Sequence, residues 1–168
     1  YSEVDIRKCG LYRYAMDPSF EILLIAWSTD TGAGFGEAQC ADLASGDPFP
    51  EELLEAFQSG RVRLIAHNAS FERVCFSIHL QKNWLGQYLA PGEFLSPDSW
   101  ICMMVMAGSL ALPLALEDVG VVLKTAQRKD KEGERLIKLF SMPCKPTKSN
   151  GMRTRNLPEH YPEEWAKF

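Results

Sequence analysis

The stretch Ala66-His67-Asn68-Ala69-Ser70-Phe71-Glu72 holds the side chains of this 168-residue chain that could do chemistry together. The apolar run at 61–66 before it reads as a short strand, and Phe71, Val74, Cys75, Ile78 and His79 after it fall near helical spacing, predicting a helix over 71–80. The stretch therefore sits where a strand ends and a helix begins, the edge at which α/β proteins bind ligands. Glu72, on the first helical turn, offers a hard carboxylate oxygen suited to Mg²⁺ or Mn²⁺. Asn68 can donate to a phosphate or a ribose oxygen, or hold a metal-bound water. A plainer reading stays open: Asn68 turns the chain, Glu72 complements the helix dipole, and one carboxylate does not make a two-metal site. The five cysteines, Cys9, Cys40, Cys75, Cys102 and Cys144, and the histidines His67, His79 and His160 are too scattered for a zinc site. The odd cysteine count without a C-x-x-C pair fits a reducing compartment.

The surrounding pattern supplies elements to position this stretch. Residues 20–28 have a near-continuous apolar centre and read as a strand covered on both faces. A turn over 29–34, with Asp30, Gly32 and Gly34, returns a second strand over 35–43. Pro50 opens a helix with Glu51 and Glu52 in its first turn, ended by Gly60. Val62, Leu64 and Ile65 suit an inner sheet position, and Ser70 reads as an N-cap. Residues 99–110 are apolar on nearly all sides and predict a buried helix, with core filling read for Met103, Met104 and Met106 ahead of the alternative, a flexible interaction surface. A helix over 114–123 keeps Glu117 and Asp118 on its wet side. Another over 131–140 sets Leu136, Ile137, Leu139 and Phe140 against Lys131, Glu134, Arg135 and Lys138. Residues 141–158 form a basic loop with Pro and Gly that is either functional or mobile, and a last helix starts near Glu163. The first ten residues read as a polar start. The order predicts one α/β domain spanning 1–168.

Composition excludes other classes. With 46% hydrophobic and 24% charged residues the chain is globular rather than disordered. No apolar run is long enough to span a membrane, and no basic-then-apolar leader opens the sequence. The formal net charge of −4 hides a polarity: residues 1–123 carry 7 basic and 16 acidic residues, whereas residues 124–168 carry 11 basic and 6 acidic. Lys124, Arg128, Lys129, Lys131, Arg135, Lys138, Lys145, Lys148, Arg153 and Arg155 could meet backbone phosphates; a solvated helix face with a mobile loop is the alternative.

Asn68, Phe71 and Glu72 resemble the second motif of the DnaQ-like 3′–5′ exonucleases, in which Asn is followed after two residues by an aromatic and an acid. The ordered set around them resembles the proofreading domain of phage-type family A DNA polymerases. It comprises residues 1–10, then Tyr14-Ala15 and the stretch from Phe20 to Leu24. Trp100-Ile101-Cys102 and Leu112-Pro113-Leu114-Ala115-Leu116-Glu117 follow, and then Lys131-Glu132-Gly133 with Phe140-Ser141-Met142-Pro143.

This resemblance implies a ribonuclease H-like exonuclease fold, a mixed sheet with surrounding helices. It also implies two-metal hydrolysis of the 3′-terminal phosphodiester, releasing a deoxynucleoside monophosphate. Glu72 would be the catalytic and metal-binding acid. Asn68, His67, Phe71, Lys131 and Arg135 would bind substrate, and Mg²⁺ or Mn²⁺ would be the cofactor. The partners would be a single-stranded 3′ end or primer terminus and a polymerase domain C-terminal in the parent chain, in the cytoplasm of a bacterial or phage-infected cell. The family's Asp-x-Glu pair on the first strand, ahead of Tyr1, and its Tyr-x-x-x-Asp element on the final helix, past Phe168, are not in this sequence, so the first strand and last helix are expected to be missing and the polypeptide to be inactive. Glu3 and Asp5 lie downstream of the expected first strand and are not that pair. A non-catalytic DNA-binding or scaffold module derived from such a domain is the alternative. An α/β domain with an unrelated interaction role is a third.

Overall fold

The computed structural model describes residues 1–84, 89–126 and 131–168, with the side chains of Trp84 and Lys131 outside that description. It is mixed α/β. Two short helices, α1 (Ile6–Cys9) and α2 (Leu11–Met16), precede an antiparallel pair, β1 (Leu24–Trp27) and β2 (Gln39–Asp42). Helix α3 (Glu51–Ser59) leads into β3 (Leu64–Ala66), helix α4 (Ala69–Trp84) and β4 (Trp100–Cys102), which pairs parallel to β3. Helices α5 (Met103–Ser109), α6 (Leu116–Val122), α7 (Lys131–Ser141) and α8 (Pro162–Trp165) complete the order. No described helix is long and apolar enough to cross a membrane.

The local rules explain much of this. The 29–34 turn forms as expected, with Gly34 at φ 127 and a bridge from Asp30 to Phe35. Helix α3 starts after Pro50 and ends at Gly60, which takes the left-handed conformation (φ 61) that its missing Cβ allows. Parallel strands need a long crossover, and α4 supplies it between β3 and β4.

Several expectations are corrected. The single mixed sheet is instead two separate two-stranded sheets among the described residues. The strands at 20–28 and 35–43 shorten to β1 and β2. Strand β1 is not covered on both faces: Ile25 is buried while Ala26 is exposed. Strand β3 is not internal either, since Ile65 is 48% exposed. The buried helix over 99–110 divides into β4 and α5, because Trp100 and Ile101 pair with β3; an apolar run alone does not separate strand from helix. Met103, Val105 and Met106 then lie exposed rather than in the core. Helix α4 begins before Ser70, which is inside it rather than its cap, and α6 is shorter than 114–123. Ile137 turns outward, 51% exposed, whereas Leu136 and Phe140 are fully buried. The polar start is helical and well anchored, with Tyr1 and Ser2 buried.

Two clusters of buried side chains stand out among the described residues. In the first, Ala15 and Phe20 pack on Val74, Cys75 and Ile78 of α4. In the second, Tyr1 and Leu23 pack on Leu136 and Phe140 of α7, and Trp165 and Phe168 close over Phe140, Trp165 at 4.8 Å between ring centroids. Trp165 Nε1 donates to Asp42 at 2.7 Å, tying α8 to β2. Residues 141–158 are neither long helix nor loose. Thr147 caps a 3₁₀ turn at Lys148–Asn150, Cys144 N–H donates to the Thr154 carbonyl at 2.8 Å, and Arg155 pairs with Glu21 at 2.5 Å.

His79 on α4 stacks on Phe49 at 5.2 Å, and burial, with Lys82 adding to it, pushes its ring down to about 4. The unfolded ring takes a proton near pH 6.5, so the unfolded state binds more protons between pH 6.5 and 4, and stability falls as pH drops through that window. Urea unfolding of His79→Gln against the parent should show a stability gap that closes by on the order of 3 kcal/mol from pH 7 to pH 4. A gap independent of pH would refute the assignment.

Candidate functional site

Parallel pairing sets Ala66 of β3 beside Cys102 of β4, so both strands end at one edge. The chain leaves β3 through His67 and Asn68. Asn68 takes φ 62, a left-handed conformation that Asn tolerates better than most residues, and its carbonyl accepts from Phe71 N–H at 2.8 Å. That turn starts α4 at Ala69 and puts Glu72 in its first turn, where the helix dipole favours an anion. Burial raises the Cys102 thiol, but the backbone N–H groups of Val105, Ala69, Met104 and Asn68 outweigh it and hold the thiol below its ordinary value. The edge is thus rich in backbone donors. Cys102 was missed as a feature of this edge because 99–110 read as helix; recognising Trp100-Ile101-Cys102 as a strand would have found it.

Glu72 points the other way, into a cleft of about 700 Å³ lined mainly by apolar groups. Leu23, Leu24 and Ile25 form one wall, Phe71, Glu72 and Cys75 another, and residues of α7 a third. Burial raises the Glu72 carboxyl above the usual range, opposed only by its own backbone N–H. Its Oε2 is buried without a hydrogen-bond partner among the described residues.

The other candidates divide between places. Phe71 lines the cleft and packs on the first core cluster. His67 is half-buried and Asn68 exposed at the strand edge, outside the cleft lining. Arg135 is exposed and held by Glu132 at 2.7 Å, while Lys138 lines the cleft beside its partner Glu134 at 2.7 Å. Arg128, Lys129 and the Lys131 side chain lie outside the described residues. Arg153 bonds Asn156 and Tyr161, and Arg155 bonds Glu21 and covers the Tyr1 ring at 4.2 Å, so both serve internal contacts. Lys124, Lys145 and Lys148 are exposed outside these pairs. Trp100 stacks between Phe57 and Phe76 at 6.4 and 6.3 Å, a packing role.

Glu72 alone is one hard donor. Among the described residues no three His, Cys, Asp or Glu side chains converge as a metal site. These residues by themselves do not fit a two-metal centre, and no chemical step can be derived through one here.

A carboxylate with one oxygen buried and without a partner costs stability when it ionises. A carboxyl whose pKa is raised by folding contributes stability below its unfolded value, about 4.3, and loses it as pH rises through the folded value. Glu72→Gln should therefore melt higher than the parent at pH 7, with the difference vanishing below about pH 4. A variant that melts lower at pH 7 would show that the carboxylate has a stabilising partner.

No family model matches the chain, and no solved structure matches it. Over all 168 residues it is 45% identical to the "DNA polymerase" of Bacillus phage SP02, of which it covers 24%. The chain thus spans about a quarter of the curated relative it matches, and it is similar along its whole length to that part of a phage DNA polymerase.

Proposed function

We propose that residues 1–168 form a ribonuclease H-like 3′–5′ exonuclease domain that edits the 3′ end of DNA for a polymerase. The observation that carries this reading is Glu72: an acid on the first turn of the helix after a strand, half-buried in a cleft, with its Oε2 buried and without a partner among the described residues. A carboxylate kept there at a cost to stability fits a functional demand better than a structural one. The similarity to a phage DNA polymerase supports the same reading.

In this reading Glu72 supplies one ligand of a Mg²⁺ or Mn²⁺ site whose other ligands come from outside residues 1–168. The bound metals would supply a nucleophilic water and charge stabilisation. Asn68 donates to the terminal nucleotide's phosphate or sugar. His67 and Phe71 contact the frayed 3′ end, and Lys131 and Arg135 hold the backbone. Arg135 gives up little by leaving Glu132, since an exposed ion pair is worth about 0–1 kcal/mol.

The test uses the longest natural polypeptide containing these residues, with a 5′-labelled primer carrying a 3′ mismatch and Mg²⁺. It should release monophosphates, and Glu72→Gln should lower that rate about 100-fold or more, because even groups that only orient metal ligands cost 10–100-fold. An unchanged rate would overturn the assignment of Glu72. Residues 1–168 alone should release none; EDTA-sensitive release from them would show that the ligand set is complete without further chain.

The second reading, a DNA-binding module without catalysis, is favoured by the lack of a three-ligand cluster among the described residues. Both readings expect phosphate contact by Lys124, Lys145 and Lys148. With three such contacts, the log–log slope of single-strand affinity against salt should be about −2, and Lys148→Ala should reduce its magnitude by about 0.7. A flat salt response would remove the phosphate contacts from both.

A further inference from the structure

Residues 142–158 carry Lys145, Lys148, Arg153 and Arg155 and no acid. The segment is shaped from inside. Cys144 N–H donates to the Thr154 carbonyl and Met152 N–H to the Thr147 carbonyl, both at 2.8 Å, so the chain runs out and returns on itself. Asn150 fills the turn: its Nδ2 donates to the Lys145 carbonyl at 2.9 Å, and its Oδ1 accepts from Thr147 N–H at 2.9 Å. At the base, Arg153 and Arg155 are drawn back to Tyr161 and Glu21. Residues 144–154 are thus a closed finger, and its bonds bring Lys145, Lys148 and Met152 together at the tip.

The tip presents these side chains outward. Lys145 and Lys148 are exposed, and neither has an ion-pair partner among the described residues. Met152 is 62% exposed, and its backbone takes φ 61. The left-handed conformation is costly for a residue other than Gly, Asn or Asp, and an apolar side chain this exposed repays little of that cost by packing. Backbone strain kept under an outward-facing side chain points to a contact with another molecule.

The chemistry of the tip selects the partner. Two cations with no acid in their segment fit a chain of phosphates. Surfaces for single strands add aromatic rings on which bases stack, and residues 144–154 hold no aromatic residue. Proteins that enter the minor groove of a duplex instead use apolar wedges, Met among them, with Lys or Arg beside them. The thin, unbranched Met side chain suits a groove about 6 Å wide. We infer that residues 144–154 form a finger for double-stranded nucleic acid, with Met152 in the minor groove and Lys145 and Lys148 on the phosphates of its walls. The inference rests on the nucleic-acid partner proposed above, and not on Glu72 or on hydrolysis.

The test uses the longest natural polypeptide containing these residues, with EDTA present so that no hydrolysis enters. Two probes are compared, a hairpin-closed DNA duplex and an oligothymidine of equal length. Met152→Gly should weaken duplex binding at least about fivefold and leave oligothymidine binding within about twofold. It should melt no lower than the parent, since Gly takes a left-handed backbone freely. Equal weakening on both probes, an unchanged duplex affinity or a lower melting temperature would overturn the inference. Replacing both lysines, Lys145→Ala with Lys148→Ala, should lower the magnitude of the duplex log–log salt slope by about 1.8. An unchanged slope would overturn it too. Failure of Glu72→Gln to slow hydrolysis leaves these results untouched, whereas a parent that binds neither probe removes the inference and the nucleic-acid reading together.

Discussion

The packing of Val74, Cys75 and Ile78 on Ala15 and Phe20 holds the rest of the molecule in place. Helix α4 is both the crossover between β3 and β4 and the helix against which α2 lies, so one buried face sets both. Polar contacts lock its length. Ser77 Oγ donates to the Arg73 carbonyl at 2.6 Å and accepts from Leu95 N–H at 3.0 Å, which fixes the return towards β4. Lys82 Nζ reaches the Asp17 and Phe20 carbonyls at 2.8 and 3.2 Å, which fixes the turn before β1. With the middle and far end of α4 held in this way and Phe71 packed on the same cluster, Glu72 stands on a helix that is anchored in the core.

That anchoring keeps Glu72 Oε2 in place without a partner among the described residues. A side chain on a mobile loop would swing out to water, but one on the first turn of a packed helix keeps its place beside Phe71 and Cys75. Burial raises the Cys75 thiol to about 12, so this wall of the cleft holds a neutral thiol beside a carboxyl that is costly to ionise.

The basic third of the chain is less available than its charge suggests. Arg155 lies between the Tyr1 ring and Glu21, and Arg153 lies over the Tyr161 ring at 5.3 Å, so two guanidinium groups pin residues 141–158 to the body. Arg135 and Lys138 are each matched by an acid three or four residues earlier on α7. The exposed lysines at 124, 145 and 148 are left to meet an outside anion.

Local pattern was enough for features decided within a few residues. Pro50 and Gly60 bracketed α3, Asp30 to Gly34 turned the hairpin, and the position of Glu72 after a strand was legible from 61–72 alone, since capping, turn chemistry and helix entry depend on near neighbours. What pattern could not decide was burial. Residues 99–110 are apolar throughout, and pairing with β3 made three of them a strand and left Met103 and Met106 exposed. Ile137 sits in a run with Leu136 and Phe140, and only the position of α7 against the second core cluster decided which of them faced inward. The sequence by itself determined the bounds of α3, the turn at 29–34 and the place of Glu72 just after a strand. Tertiary structure decided which faces are covered, that the strands pair two by two, and that Tyr1 and Glu21 meet, because each depends on groups far apart in the chain.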